Sequence, residues 1–442
     1  MVGSGATTTL LAVAVALAER FSPDRCHLYA LDFGAGGLAP LGAFPHTAAV
    51  IPAAADEAQI RLLRHLRREL DRRRALRAAE RDAEPRMVVL IDGIGGFLAE
   101  HDEVGGVDAA SAFRRVFSEG PGVGILFAVA GERPGALPPR LGSLIGQRLL
   151  LRLADPLEFS VIGLRPRQLP VFIPGRALHA PSKLVVQVGH PGDDLRAVAE
   201  QVRARWPAPS RPPFAIATLP GALPFDQLSG GARLDGSPIE LPLGVRDEDL
   251  GPAVLPLHPA DHALIAGPPR SGKSSTLMLI AELVRRAAPK AILVGICDPR
   301  SPLRDLAALD AAGPLDELAR VLSLADRNPD RLWLVLVDDC PLVDDTDGVL
   351  SAAMRSGRPR LHIIGAGRGD DLRTSYGHWS RALRQPRNGL LLQPNLTADG
   401  DLLGVRLPRR LAVPLVPGRG FLVTAGETAL VQVALPPGAS EH

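Results

Sequence analysis

The chain lacks any marked excess of charge. Its 442 residues include 50 basic and 48 acidic residues, which leaves a net charge of +2 at pH 7. No global field therefore draws it to nucleic acid or to an anionic membrane surface, although local patches are not excluded. Hydrophobic residues at 46% and charged residues at 22% are ordinary for a folded globular protein. The length allows two or three domains of roughly 150 residues, and two is the simplest count.

Cysteine and long apolar runs are also scarce. Cys26, Cys297 and Cys340 are odd in number, widely spaced and next to apolar stretches, which favours a reduced, cytosolic compartment. No stretch reaches the roughly 20 apolar residues of a membrane helix, so we expect a soluble protein, or one that other proteins recruit to a membrane. The run from Leu10 to Ala18 resembles the apolar core of a secretory signal, but no basic residue precedes it, which argues against that interpretation.

Lysine is the scarcest charged residue, and only Lys183, Lys273 and Lys290 occur. One of these three lies in a segment with the pattern Gly-x-x-x-x-Gly-Lys-Ser, which binds phosphate groups in many nucleotide-binding proteins. The segment reads Gly267, Pro268, Pro269, Arg270, Ser271, Gly272, Lys273, Ser274, and Ser275 follows it. An ammonium group is the usual choice at the lysine position, so its occurrence there argues against a chance match.

The segments around this motif supply the context that it requires. An apolar run ends at Ala266 and a helical pattern starts at Ser275, so a strand, a loop and a helix follow one another. Glycines let backbone N–H groups approach phosphates, and the helix N-terminus adds a favourable partial charge. We therefore predict that residues 267–275 bind ATP with Mg²⁺, with Lys273 against the β- and γ-phosphates and Ser274 on the metal. The alternative is a Gly/Pro turn that carries these residues by coincidence.

A second element has to hold the metal. The apolar run from Leu332 to Val337 ends in Asp338 and Asp339. We predict that Asp338 binds Mg²⁺, through water, and that Asp339 is the catalytic carboxylate that polarises an attacking water. The alternative is a strand that leaves the core through acidic residues.

Short apolar runs alternate with helical or loop stretches along the whole chain. This alternation predicts two doubly wound α/β domains, each with a mainly parallel sheet covered by helices. The predicted strands are 27–31, 87–91, 124–130 and 148–153 in the first half, and 262–266, 291–296, 332–337 and 361–365 in the second. A proline-rich segment at 206–213 marks the boundary. We expect a first domain at 1–207, a linker at 208–221 and a second domain at 222–442.

An arginine-rich segment at 61–81 has leucines at a spacing that predicts one helix. Its charges would then lie on a solvated face, and a nucleic-acid contact is the alternative.

The first half contains an eroded copy of the same motif. When Gly5 is matched with Gly272, the segment from Gly3 to Thr8 has Ala6 in place of the lysine. The matching acidic strand keeps Asp92 but has Gly93 at the position of the catalytic carboxylate. We therefore expect a structural or regulatory copy, with weak nucleotide binding as the alternative. In this register the strand that feeds the loop would precede Met1, so we expect residues upstream to be missing from the sequence.

Taken together, both halves resemble the FtsK/SpoIIIE group of motor ATPases and, within it, the tandem C-terminal ATPase domains of EccC from type VII secretion. The resemblance covers nearly the whole chain, and the order of its segments is more specific than any one of them outside the phosphate loop. The segments are 29–38, 41–46, 148–156 and 174–177 in the first half, and 242–245, 417–420 and 429–434 in the second.

The resemblance implies two tandem P-loop NTPase domains of the RecA/FtsK-like fold, in an ATP-binding motor or regulatory module of a type VII (ESX) secretion system. It implies a cytoplasmic location, with recruitment to the inner face of the cell membrane by partner subunits. It also implies an oligomer or ring with other secretion ATPase domains, and recognition of small helical-hairpin substrates through a C-terminal signal. Neither a nucleic-acid partner nor direct membrane insertion is expected. The alternatives are a DNA translocase of the FtsK type and a nucleotide-gated scaffold. The sequence also leaves open whether Arg368, just after the strand at 361–365, senses the γ-phosphate or is only a surface residue.

The identity of residue 339 predicts slow turnover. Many related ATPases have Glu there, and Asp is one methylene shorter, so its carboxylate would lie too far from an in-line water. Misplacement of about 1 Å can cost ~100-fold in rate. We expect the purified protein to bind ATP without brisk hydrolysis in a steady-state phosphate-release assay. An ordinary turnover number that is lost on Asp339→Asn would contradict this expectation.

Overall fold

The protein divides into two compact units, Met1–Ala217 and Thr218–His442, in a computed structural model. The structure describes residues 4–439 except 104, 105, 134, 154, 156, 160–162, 164, 166–168, 329, 376, 410 and 412. Three residues used in the sequence comparison, Gly3, Ala154 and Pro156, therefore lie outside the described residues. The domain and linker boundaries proposed from the sequence stay a prediction.

The strands are numbered in chain order. The first unit has β1 (Cys26–Asp32), β2 (Thr47–Pro52), β3 (Arg86–Asp92), β4 (Ile125–Ala130), β5 (Leu149–Leu150), β6 (Arg176–His179) and β7 (Leu184–Gln187). The second unit has β8 (Ile239–Arg246), β9 (Pro252–Leu257), β10 (Ala263–Ala266), β11 (Ile292–Ile296), β12 (Ala311–Gly313), β13 (Trp333–Val337), β14 (Leu361–Gly367), β15 (Gly389–Leu392), β16 (Arg419–Thr424) and β17 (Glu427–Val433).

The α-helices are numbered in the same way. The first unit has α1 (Ala6–Arg20), α2 (Asp56–Ala75), α3 (Ala78–Asp82), α4 (Ile94–Glu103), α5 (Gly106–Glu119), α6 (Pro139–Gly142) and α7 (Leu195–Arg205). The second unit has α8 (Lys273–Ala287), α9 (Leu315–Ser323), α10 (Val349–Arg355) and α11 (Gly369–Thr374). Short 3₁₀ turns connect several of these elements.

The second unit is built on one sheet of ten described strands, in the order β12-β11-β13-β14-β10-β15-β16-β17-β8-β9. Its first six strands are parallel, and the remaining pairs are antiparallel. Strands β10, β13 and β14 are buried along their whole length, as expected of parallel strands covered on both faces. All four strands predicted for this half are present, and the prediction of a mainly parallel α/β sheet is confirmed.

The first unit has two separate sheets among its described residues. The larger is parallel with the order β2-β1-β3-β4, and the smaller is antiparallel with the order β5-β6-β7. Three of its four predicted strands are present. The prediction for 148–153 was wrong in extent and in pairing, because only Leu149–Leu150 is a strand and it pairs antiparallel with β6.

The strand orders of the two units explain this difference. In the second unit, β10 pairs with β14 on one side and with β15 on the other. It thereby connects four parallel strands to β15 and to the strands beyond β15. In the first unit, the described residues contain four parallel strands and a group of three, but no strand that joins them. Strand β4 is correspondingly half exposed beyond Ile125, and Leu126 is 40% exposed. Among the described residues, the segment at 148–153 therefore has no parallel neighbour, whereas β15 in the second unit has β10.

The arginine-rich segment is helical, but a break divides it. The helix α2 ends at Ala75, and Leu76 adopts an extended conformation before α3 begins. Leu62, Leu63, Leu66 and Leu70 of α2 are buried, which confirms the apolar stripe. Most of its arginines are exposed, whereas Arg73 is only 2% exposed and donates to Glu69 and to the backbone carbonyl of Val123.

The three cysteines are free and buried. Burial raises the pKa of the Cys26 thiol to about 11, so it stays protonated at neutral pH. Among the described residues, no helix combines the length and the apolar character that a bilayer span needs.

The second unit contains a buried histidine pair that predicts a loss of stability in weak acid. His262 is 6% exposed and its Nδ1 accepts a 3.1 Å hydrogen bond from the Ile363 amide. Burial, aided by His362, lowers its pKa from 6.5 to about 4. Between these values the unfolded chain binds a proton that the folded chain excludes, so the free energy of unfolding falls as pH decreases through that window. From pH 7 to pH 5 we expect a loss of about 2 kcal/mol from this residue.

Urea unfolding at the two pH values measures this loss. His262→Asn keeps an acceptor for the amide but does not titrate, so its pH dependence should be shallower than that of the unmodified protein. His258→Asn is the matched control, because His258 is exposed in the same part of the chain. An unchanged pH dependence in His262→Asn would contradict the assignment.

Candidate nucleotide-binding site

The loop at 267–272 connects the central strand β10 to α8. The Gly267 N–H donates to the Gly367 carbonyl at 3.1 Å, which ties the start of the loop to the end of β14. A Cβ on Gly267 would lie 2.6 Å from the Leu392 carbonyl oxygen and from Ser271 Oγ, so only glycine fits. Gly272 has a φ of 99° and caps α8, a conformation that other L-residues rarely adopt. The loop therefore wraps around the N-terminus of a helix whose Leu277 and Ile280 anchor it in the core.

Lys273 lies at the first position of α8 and is 8% exposed. Its Nζ donates a 2.8 Å hydrogen bond to the Pro268 carbonyl, so the ammonium group folds back over the loop. Burial lowers its pKa, while Asp339 and Asp338 act in the opposite direction. The side chain is thus held over the loop, where an anion would meet both its charge and the backbone N–H groups.

Asp338 follows β13 and is 6% exposed. Ser274 Oγ lies 3.0 Å from both of its carboxylate oxygens, and Ser301 Oγ donates to Oδ2 at 2.6 Å. The carboxylate is therefore fixed by one hydroxyl from the first turn of α8 and one from the segment that follows β11. The Ser274 hydroxyl and the Asp338 carboxylate are oxygen ligands of the kind that Mg²⁺ prefers. The structure brings together Ser274 and Asp338, as the sequence predicted, and adds Ser301, which the sequence analysis missed.

Asp339 has a left-handed backbone conformation, with a φ of 46°, at the start of a 3₁₀ turn. Burial and the neighbouring Asp338 raise the pKa of its carboxyl group, and Lys273 and Arg368 oppose that rise. Asp339 thus shares the electrostatic environment of the loop lysine. Its catalytic role stays a prediction.

A cavity of about 750 Å³ opens beside the N-terminal turn of α8. Its other wall is formed by Pro417, Gly418 and residues 432–435. The Gln432 side chain is fixed there, because Nε2 donates to the Pro417 carbonyl at 3.0 Å and Oε1 accepts from Arg419 Nε at 3.1 Å. A cavity next to a predicted phosphate-binding loop is of a kind suited to a nucleoside, and the motif does not include the residues of this wall.

The loop also has features that fit a bound phosphate. Ser271 is fully buried, and its Oγ has no hydrogen-bond partner among the described residues. An unpaired buried hydroxyl is unusual, and a phosphate oxygen next to the loop would provide an acceptor. The residues present therefore fit a nucleoside triphosphate with Mg²⁺.

The first unit repeats the end of this loop and the start of its helix among the described residues. Gly5 caps α1 with a φ of 93°, close to the 99° of Gly272. The Thr7 hydroxyl donates to Asp92 Oδ2 at 2.7 Å, just as Ser274 contacts Asp338. Gln187 Nε2 donates to the Pro174 carbonyl at 3.0 Å, as Gln432 does to Pro417. The register based on Gly5 and Gly272 is therefore supported, and Ala6 occupies the position of the lysine.

Residues 2–178 match the FtsK/SpoIIIE family. The chain contains an FtsK/SpoIIIE domain. The match lies within the unit that has the eroded loop and does not include residues 267–275. Nucleotide binding, typically with Mg²⁺, is a property of this family of P-loop ATPases. The α/β P-loop fold predicted from the sequence is confirmed.

Comparison with known proteins confirms the resemblance to EccC. The chain is 29% identical to ESX-4 secretion system protein EccC4 of Mycobacterium tuberculosis, over 98% of this chain and 38% of that protein. It thus spans less than two fifths of this relative. Among solved structures, EssC (ATPases 2 and 3) from Geobacillus thermodenitrificans matches 98% of this chain and 90% of its own, with a TM-score of 0.78 and 21% identity.

A second solved structure is that of Thermomonospora curvata EccC (ATPases 2 and 3) in complex with a signal sequence peptide. It matches 98% of this chain and 86% of its own, with a TM-score of 0.65 and 22% identity. At these identities the structural likeness establishes the fold.

The position of Ser301 generates a prediction about metal dependence. Removing a group that orients a metal-binding carboxylate commonly weakens metal binding 10- to 100-fold. We expect Ser301→Ala to raise the Mg²⁺ concentration for half-maximal binding of a fluorescent ATP analogue roughly tenfold, with little change at saturating Mg²⁺. Ser323→Ala is the control, because the exposed Ser323 hydroxyl only donates to the Arg320 carbonyl. An unaltered Mg²⁺ requirement in Ser301→Ala would show that Ser301 does not orient Asp338.

Proposed function

We propose that the second unit binds ATP with Mg²⁺ and that the chain serves as a motor or regulatory module of a type VII (ESX) secretion system. The observation that carries the nucleotide proposal is the joint placement of Lys273, Ser274 and Asp338 at the N-terminus of α8. The family match and the relatives named EccC support the secretion role.

The proposed roles follow from the geometry of the site. Residues 267–275 surround the phosphates, with Lys273 as the neutralising charge and the adjacent cavity as the nucleoside site. Bound Mg²⁺ would supply charge neutralisation, and Ser274 and Asp338 would hold it. Asp339 would orient a water molecule or accept a proton from it, and its raised pKa makes it a weaker acid than an exposed aspartate. The first unit would serve as a structural or regulatory copy.

The secretion role includes partners. One solved relative, EccC of Thermomonospora curvata, is in complex with a signal sequence peptide. We propose that this chain recognises small helical-hairpin substrates through such a signal, and that it works with other secretion ATPase domains and membrane-complex subunits. A cytoplasmic location with recruitment to the inner face of the membrane belongs to the same proposal. The net charge of +2 does not favour a duplex DNA partner.

The nucleotide proposal predicts that two lysine substitutions differ in their effect on ATP binding. Removing a charged hydrogen-bond donor costs about 1.5–3 kcal/mol, so Lys273→Ala should weaken ATP binding roughly 10- to 150-fold. Lys290→Ala should leave it unchanged, because Lys290 is exposed beyond the far end of α8. Titration calorimetry should give one nucleotide per chain. Equal affinities for the two variants, or a stoichiometry of two, would contradict the proposed division between the units.

The secretion proposal is tested by offering two classes of partner. The purified chain is mixed with duplex DNA or with small helical-hairpin proteins encoded beside its gene, each with and without ATP. Binding of a hairpin protein that is lost when its C-terminal signal is deleted would support the secretion role. Hydrolysis stimulated by DNA would indicate a translocase instead, and a response to neither would leave a nucleotide-gated scaffold.

A further inference from the structure

We propose that Arg419 is a positioning residue for the nucleoside part of the ligand, and that it acts by holding residues 219–222 as one wall of the cavity beside α8. This inference rests on the proposed nucleotide site. It deepens that proposal by assigning a role to the segment 417–420, which lies outside the phosphate-loop motif. Arg419 is not among the residues that line the cavity, so it acts through a segment that does line it.

The segment 219–222 has no regular secondary structure, yet two of its residues, Gly221 and Ala222, line the cavity. The chain after this segment is anchored in the core. Leu223 is 4% exposed, and its carbonyl accepts the Leu435 N–H at 2.8 Å. A segment outside helices and sheets keeps its shape only where its backbone groups find other partners. The position of this cavity wall therefore depends on what holds the start of the segment.

The side chain of Arg419 holds that start. Its Nη2 donates to the Pro220 carbonyl at 2.7 Å and to the Leu219 carbonyl at 3.2 Å. The same guanidinium donates through Nε to Gln432 Oε1 and through Nη1 to the Pro414 carbonyl. Arg419 is only 3% exposed, and burying a charge is costly unless its donors are bonded, so these contacts keep the group in one arrangement. One rigid, planar group thus fixes the segment to the wall around Gln432.

The residue before Arg419 connects the same wall to the phosphate loop. The Gly418 N–H donates to the Ser271 carbonyl at 2.9 Å, and Gly418 itself lines the cavity. Consecutive residues of one short segment therefore bond to the phosphate loop on one side and to residues 219–220 on the other. The contacts for phosphate and the contacts for a nucleoside are held in one frame.

The first unit shows which of these contacts belong to the second unit alone. Arg176 is the counterpart of Arg419, because each follows a Pro-Gly pair and starts a strand. Its Nη1 donates to the Val171 carbonyl, as Arg419 Nη1 donates to that of Pro414. Within the described part of the first unit, Arg176 has no bonds that correspond to those of Arg419 with residues 219–220, and it is only half buried. These additional bonds are therefore not required for the arginine to start its strand, and they occur in the unit that keeps the phosphate-loop lysine.

The arrangement separates two classes of ligand. A nucleoside in the cavity would contact Gly221 and Ala222, whereas a chain of phosphates alone would contact only the loop at 267–275. If the segment 219–222 is loosened, a ligand with a nucleoside has to order it on binding, and that cost lowers the affinity. A ligand without a nucleoside does not incur this cost. Arg419 should therefore matter for ATP and not for inorganic tripolyphosphate.

The experiment measures the affinities of full-length variants for a nonhydrolysable ATP analogue and for inorganic tripolyphosphate, each with Mg²⁺. Arg419→Gln should weaken binding of the analogue roughly tenfold and change tripolyphosphate binding by about twofold or less. Arg419→Lys should fall between, because an ammonium group can bond to some of the carbonyls but lacks the planar fork. Arg176→Gln in the first unit is the matched control and should leave both affinities unchanged.

Hydrogen–deuterium exchange gives a second readout that a purely structural role would not change. The ATP analogue should slow exchange of the amides in residues 218–223, and tripolyphosphate should not. Pro220→Gly keeps the arginine and the backbone carbonyl but gives the segment more freedom, so it should weaken only the analogue, by severalfold. This variant keeps the test valid if Arg419→Gln does not fold, which circular dichroism of each variant checks.

The outcomes distinguish this inference from the proposed function. If Arg419→Gln and Pro220→Gly weaken both ligands equally, or weaken neither, the inference is overturned while the nucleotide site stands. Exchange at 218–223 that the analogue leaves unchanged also overturns it. If the unmodified protein binds neither ligand, the proposed function itself fails.

Discussion

The pairing of β10 with two neighbours is the constraint on which the second unit depends. This strand of four residues is hydrogen-bonded to β14 on one side and to β15 on the other. It thereby links four parallel strands to β15, beyond which the sheet becomes antiparallel, and it also leads into the phosphate loop. The first hydrogen bond of the loop, from Gly267 to Gly367, continues the β10 and β14 pairing. Loop geometry is therefore fixed by the same ladder that holds the core.

A second consequence of this arrangement is electrostatic. The carboxyl ends of β13 and β14 lie beside the end of β10, so Asp338, Asp339 and Arg368 converge with Lys273 although they are far apart in sequence. Burial raises the pKa of Asp339 and lowers that of Lys273, and the attraction between the carboxylates and the cations opposes both shifts. Ser274 and Ser301 hold the Asp338 carboxylate by hydrogen bonds, whereas Asp339 interacts electrostatically with Lys273 and Arg368.

Much of this could be predicted from the sequence, for identifiable reasons. The motif from Gly267 to Ser274 is local, and so is the continuous apolar run that precedes Asp338, so both the loop and its acidic neighbour were found. Ser301 could not be found in this way. It follows β11 and Asp338 follows β13, so their contact depends on the fold, and no local pattern marks Ser301. The cavity wall around Gln432 could be predicted only in part. The segment 417–420 stood out in the sequence, but only the fold shows that this wall faces α8. The wrong extent of the strand at 148–153 has the same cause: pairing depends on a neighbour, and an apolar run does not reveal whether that neighbour is present.

The two units also show which parts of such a site are needed for the fold and which for the ligand. The first unit keeps Gly5, the contact between Thr7 and Asp92, and the hydrogen bond from Gln187 to Pro174. These features shape the loop and fasten it to neighbouring elements, so losing them would cost stability whether or not anything binds. The side chains that would meet phosphate or water differ instead, with Ala6 and Gly93 at the positions of Lys273 and Asp339. Gly93 also relaxes a left-handed conformation that Asp339 adopts at some steric cost. At this position the first unit thus has the residue that the left-handed backbone favours, and the second unit has the carboxylate that a role toward water would need.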